Sequence, residues 1–180
     1  MNHDTVLDQW LAADRAVRER MQPVGVARPE QVMHLSGLEI LQQMLEGKLP
    51  PPPIAETLDF TLVSVAKGEA IFQGVPKLKH YNPMGGIHGG WFATLLDSAL
   101  GCAVMSALPP GRGYTTLELK INLVRGLSAK VPLVRAVGKT VHVGKQVATA
   151  EAQLIGHDGK LYAHSSTTCL VFDQAARAAG

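Results

Sequence analysis

One segment constrains this chain more than any other. Trp91 to Leu108 (WFATLLDSALGCAVMSAL) is eighteen residues with a single charged side chain, Asp97. Its length is close to that of a bilayer span. An Asp in mid-segment, a Gly89-Gly90 entry and the lack of a basic flank argue against one. The segment reads instead as a helix buried on nearly all sides, ended by Pro109-Pro110-Gly111. A helix of that kind has to be wrapped by other elements of the same fold.

The rest of the chain supplies strands to wrap it. Leu58, Phe60 and Leu62 alternate with Asp59 and Thr61, the chain turns at Lys67-Gly68, and Glu69 to Pro76 returns as the second arm of a hairpin. Four extended segments follow the apolar helix: 114–124, 131–143, 145–155 and 161–172. Turns are expected at Gly126-Leu127-Ser128, Val143-Gly144 and His157-Asp158-Gly159. In the first segment Thr115, Leu117, Leu119, Ile121 and Leu123 share one face, and Thr116, Glu118, Lys120 and Asn122 the other. Short turns make successive strands antiparallel. The expectation is an α+β fold in which a six-stranded antiparallel sheet wraps one long central helix.

Upstream the texture differs. Residues 1–22 read as an amphipathic helix with Val6, Trp10, Ala13 and Val17 at helical spacing, broken between Pro23 and Pro29. Ser36 and Glu39 form a capping box for a second helix that stops at Gly47. Pro50 to Pro53 is an extended hinge. The expected division is therefore a helical extension with its hinge at 1–54, a sheet-and-helix domain at 55–173 and a tail at 174–180.

Composition narrows the function. A chain of 180 residues, 46% hydrophobic and 18% charged, can build a core. Seventeen basic against fifteen acidic side chains leave a net charge of +2, too slight a bias to point to nucleic acid or a membrane surface. The first twenty residues carry charges throughout and lack the apolar stretch of a signal peptide. Cys102 and Cys169 are far apart and suggest neither a disulfide framework nor a zinc site. A cytoplasmic protein without a metal or other cofactor is expected.

Asp97 carries the chemistry. A buried carboxylate without partners costs several kcal/mol, so one in a core helix needs a reason. It reads either as a structural carboxylate tied to an amide or hydroxyl, or as a general base or nucleophile. Gly90 and Asp97 are seven residues apart on one helix face, about 10 Å along the axis. His88-Gly89-Gly90 sits where free N–H groups and the positive end of the helix dipole gather. Glycines there let a ligand approach, and the Gly89 amide could stabilise an oxyanion; the same glycines also suit a tight entry turn. His88 could contact a substrate, although a loop histidine is more often merely exposed, and Asn82 before Pro83 is more often a turn residue. Thr115, on the face turned toward the helix, could hold a water or the Asp97 carboxylate. Among basic residues near turns, Arg125 and Lys145 are the candidates for phosphate contacts.

Asn82 to Gly90 (NPMGGIHGG), Asp97 eight residues after Gly89, and Gly113-Tyr114-Thr115-Thr116 together resemble the hotdog-fold acyl-CoA thioesterases of the PaaI-like, phenylacetate-degradation group. The likeness covers about residues 55–173. It implies hydrolysis of an acyl- or aryl-CoA thioester, with Gly89 as oxyanion donor and Asp97 as base or nucleophile. It further implies that Asn82 and His88 place the thioester carbonyl and that Thr115 orients water. In that family the site forms across a dimer interface, and two dimers often make a tetramer, so Asn82, His88 and Gly89 of one chain would meet Asp97 and Thr115 of the other. A hydratase of the same fold carries a His five residues after its Asp; here that position is Cys102. A non-catalytic acyl-CoA-binding module is the alternative.

Overall fold

The computed structural model of the chain describes residues 3–174. Residues 1–2 of the first expected helix, and the expected tail beyond Gln174, lie outside the described residues. The N-terminal segment contains α1 (His3–Arg18), α2 (Pro29–Val32), α3 (Gly37–Leu45) and α4 (Pro53–Thr57). Next come β1 (Phe60–Ala66), β2 (Glu69–Gly74), a 3-10 turn (Leu78–His80) and the long helix α5 (Gly89–Ser106). The chain ends in β3 (Arg112–Leu123), β4 (Val134–Val143), β5 (Val147–Gly156) and β6 (Leu161–Asp173).

The six strands form one antiparallel sheet in the order β1-β2-β4-β5-β6-β3, and α5 packs against its inner face. Small residues on that face let the helix come close. Ala70, Ala136, Ala148, Ala150, Ala152 and Ala163 are all buried against it. Gly138 goes further, for a Cβ there would collide with the Ala99 carbonyl of α5. Leu95, Leu96 and Leu100 are fully buried in return, each stabilising the fold by about 2 kcal/mol. This is the wrapped helix expected from the 91–108 segment, and no helix among the described residues is long and apolar enough to cross a membrane.

The topology corrects two local expectations. β3 is not the hairpin partner of β4. It pairs with β6 at the far edge, and residues 124–133 carry the chain back across one end of the sheet. Leu127 and Leu133 are buried on the way. The strict alternation read in β3 also fails, because a bulge between Thr116 and Glu118 inserts one unpaired residue, Leu117. An extra residue exchanges the two faces. Thr116 precedes the bulge and Leu119 and Ile121 follow it, yet all three turn inward, while Leu117 is 61% exposed.

The N-terminal helices close the β1 side. The Ser36 hydroxyl accepts from the Glu39 N–H while the Glu39 carboxylate accepts from the Ser36 N–H, the reciprocal box expected. α3 rests on β1 and on the C-terminal half of α5, where the Gly37 N–H donates to the Leu108 carbonyl at 3.1 Å. α1 reaches the outer face of β2 and β4. There the Trp10 ring lies 4.3 Å from the Arg135 guanidinium, and the buried Gln73 amide donates to the Trp10 carbonyl.

Candidate functional site

The loop before α5 is built from its own side chains. Asn82 Oδ1 accepts from the N–H groups of Met84 (2.9 Å) and Gly86 (3.2 Å), which closes the NPMGG turn. Gly85 takes φ +84° there, a backbone conformation favouring glycine. The loop is fastened to the core through His80. Its carbonyl accepts from the His88 N–H at 2.8 Å, its Nδ1 accepts from the Lys77 N–H at 3.1 Å, and its ring stacks on Trp91. Burial, with the Lys79 ammonium beside it, holds the His80 imidazole below its ordinary pKa.

His88 caps α5. Its Nδ1 accepts from the Gly90 N–H at 2.8 Å, so a neutral ring carries its hydrogen on Nε2 and presents a donor. Asn82 Oδ1 is likewise occupied, leaving the side-chain NH2 as its free group. Gly89, the first residue of α5, has an N–H with no acceptor among the described residues. Three donors are thus left at the positive end of a long helix. Gly90, expected to contact substrate, has its amide engaged by His88. A Cβ at Gly89 would stand 3.2 Å from Leu123 Cδ1, which places the helix entry beside the last residue of β3.

The carboxylate lies further along. Asp97, the one charged residue of α5, accepts a hydrogen bond from Thr116 Oγ1 at 3.1 Å. The contact expected of Thr115 therefore belongs to Thr116; the bulge at Leu117 explains the exchange. One turn beyond Asp97, a side chain at Gly101 would run into the Tyr114 hydroxyl. Burial raises the Tyr114 phenol well above its ordinary pKa, and it pushes the Cys102 thiol to about 12, with the Asp97 charge adding to both. The groups that the structure shows interacting with Asp97, namely Thr116, Cys102, Tyr114 and Cys169, are all uncharged side chains. Eight residues separate it from Gly89, about 12 Å along the helix axis at 1.5 Å per residue. Within one chain the free amide and the carboxylate cannot reach one carbonyl group.

Arg125 and Lys145 do not share a site within one chain. The Arg125 N–H donates to the Tyr162 carbonyl just past the end of β3, whereas the Lys145 carbonyl accepts from Arg112 at its start. Twelve residues of strand lie between, about 40 Å if fully extended.

Residues 84–163, from the NPMGG turn through α5 to the start of β6, match the thioesterase superfamily. A phenylacetic acid degradation-related protein from Ralstonia eutropha JMP134 superimposes with a TM-score of 0.66 at 29% identity, covering 72% of this chain and 98% of that one. The family match and the structural likeness together support a hotdog-fold thioesterase of the PaaI-like group. A variant of the phenylacetic acid degradation protein PaaI from Thermus thermophilus gives a TM-score of 0.60 at 28% identity over 66% of this chain and 97% of that one. A 1,4-dihydroxy-2-naphthoyl-CoA hydrolase from Listeria monocytogenes is 29% identical over 118 residues, 66% of this chain and 94% of that protein. This thioesterase differs from the bare sheet-and-helix unit by the four helices before β1. Sequence reasoning missed Thr116 and Leu123 as neighbours of Asp97 and Gly89, and nothing local in the sequence marks the bulge that sets both.

Proposed function

We propose that this thioesterase hydrolyses CoA thioesters of acyl or aryl acids, in a homodimer whose two sites each draw on both chains. The observation that supports this most directly is the Asp97–Thr116 pair, together with the Gly89 amide that no acceptor among the described residues claims. The thioester carbonyl oxygen would accept from the Gly89 N–H, with His88 Nε2 and the Asn82 amide as the further donors. Asp97 of the other chain, held by Thr116, would take a proton from water as the water attacks the carbonyl carbon, or would attack that carbon itself. On either route the C–S bond then breaks, and the CoA thiolate leaves and is protonated; after direct attack, water opens the acyl–Asp97 anhydride to release the free acid and restore the carboxylate.

The dimer supplies the geometry that one chain lacks. β3 is an edge strand, with Gly89 near its last residue and the Asp97–Thr116 pair in its first half. Antiparallel pairing of two β3 edges reverses that order across the dyad. It carries the amide of each chain toward the carboxylate of the other. In such a dimer Arg125 of one chain also approaches the Lys145 end of its partner, where phosphates could be met from both.

A thiol-release assay over a panel of CoA esters tests the reading. Asp97→Asn should lose about 10²–10⁴-fold in kcat, the usual contribution of a general base. Full turnover by that variant would remove Asp97 from the mechanism. Saturable binding of CoA esters by the wild type with no thiol release would make the protein a binding module instead.

A further inference from the structure

An apolar cavity of about 120 Å³ lies between the N-terminal helices and the sheet-and-helix portion. Val17, Met21 and Met44 close it from the N-terminal side, and Leu62, Cys102 and Met105 from β1 and α5. Cys102 and Met105 are five and eight residues beyond Asp97 on the same helix, about 7.5 and 12 Å along the axis. Cys102 is near enough to Asp97 for the carboxylate to raise its thiol. Neither wall is complete alone, so the extension determines how deep the cavity is.

We infer that this cavity receives the end of an unbranched aliphatic acyl group, and that the N-terminal helices set the chain length the enzyme accepts. The inference rests on the CoA-thioester reading above and names its substrate class. With the carbonyl carbon at Asp97, a chain following α5 covers about 1.25 Å per carbon, as C–C bonds of about 1.5 Å dictate. It would reach Cys102 at about six carbons and Met105 at about ten. The lining matches a hydrocarbon: its one hydroxyl is Thr61, and the rest is aliphatic, aromatic or sulfur-bearing. A fused, hydroxylated ring system like that in the name of the Listeria relative fits poorly, because a cavity of about 150 Å³ is already filled by benzene. Each methylene moved from water into such a site is worth about fourfold in kcat/KM.

The test is a chain-length profile from acetyl- to dodecanoyl-CoA, with phenylacetyl-CoA as the aryl comparison. The wild type should peak between hexanoyl- and decanoyl-CoA. Met44→Trp, which fills the cavity, should lower the ratio of kcat/KM for octanoyl- over acetyl-CoA at least tenfold. Met44→Ala should move the optimum one or two carbons longer. A wild type that prefers acetyl- or phenylacetyl-CoA overturns the inference and leaves the thioesterase reading intact, as does a ratio unchanged in both variants. If no CoA ester is cleaved, the CoA reading itself has failed. Calorimetry with octanoate then decides the cavity: saturable binding lost in Met44→Trp supports it, and no binding to the wild type ends it.

Discussion

The two edges of the sheet are finished in opposite ways. At β1 the chain covers its own edge: α1, α3 and α4 all pack on that strand, and Val17, Leu41 and Leu49 are 5%, 2% and 2% exposed beneath them. At β3 the chain leaves a twelve-residue strand with no neighbour on its outer side among the described residues. Leu117 and Leu123 there are 61% and 54% exposed. An open edge of that length with apolar side chains is a template for another strand. The chemistry divides along the same line. The groups proposed to react face β3, and the groups proposed to measure the acyl chain face β1. One edge is assigned to a second copy of the chain, and the other to specificity.

The largest expected effect breaks the β3 side. Leu117→Lys places an ammonium group on the open edge without altering the core, since Leu117 has no partner on β6. Lysine on an edge opposes strand pairing. Light scattering should show the dimer giving way to monomer, and thiol release should fall more than tenfold and become dependent on protein concentration. An unchanged dimer with full activity would show that the chains do not associate through β3.

The next effect breaks the β1 side. A Cβ at Gly37 would collide with the Met105 carbonyl, so Gly37→Ala must push α3 off the C-terminal half of α5. Overpacking of this kind typically costs about 1–3 kcal/mol, measurable as a lower urea midpoint. The dimer should persist, because α3 comes near β3 only at its first residues, Arg112–Tyr114, and leaves the rest of that strand untouched. Ser36→Ala sharpens the same point more gently: it removes one half of the capping box and should cost about 1 kcal/mol. If either variant dissociated the dimer, the two edges would not be independent.

How much of this was legible depends on the range of the interaction. Ser36 and Glu39 speak to each other across three residues, and the box appears in the structure as the sequence implied. Asp97 was conspicuous because its eighteen-residue neighbourhood contains no other charge. His-Gly-Gly before an apolar run similarly announced a helix N-terminus. Thr116 was not legible, because alternation along β3 is reset by the unpaired Leu117, and that bulge is fixed by pairing with β6 rather than by local preference. The crossing of β3 to the far edge was hidden for a related reason. Gly126-Leu127-Ser128 reads as a short turn between neighbouring strands, and only pairing with β6 reveals that residues 124–133 cross from one edge of the sheet to β4. The cavity needed tertiary contacts altogether, since Met44 and Cys102 are brought together only by the docking of α3.

The smallest expected effect concerns the loop that holds the donors near the β3 edge. His80 is buried and neutral, with Nδ1 accepting from Lys77 and its ring on Trp91. Lys77, Lys79 and Asp59 are the charged groups around it, and burial first, then Lys79, lowers its pKa from 6.5. The unfolded chain therefore takes up the proton before the folded one does. The stability this gives is complete above about pH 6.5 and is lost as the pH falls below it. Asp59 acts lower. Burial works to raise its pKa, the Lys79 and Lys77 ammonium groups outweigh that, and its contribution is lost only as pH falls below 3.8. The window from pH 7.5 to 5 thus isolates His80 from Asp59. Melting curves should show the wild type losing a few degrees more across that window than His80→Asn, whose amide can still accept from Lys77 but cannot be protonated. Equal slopes would mean that the anchor of the donor loop does not sense pH.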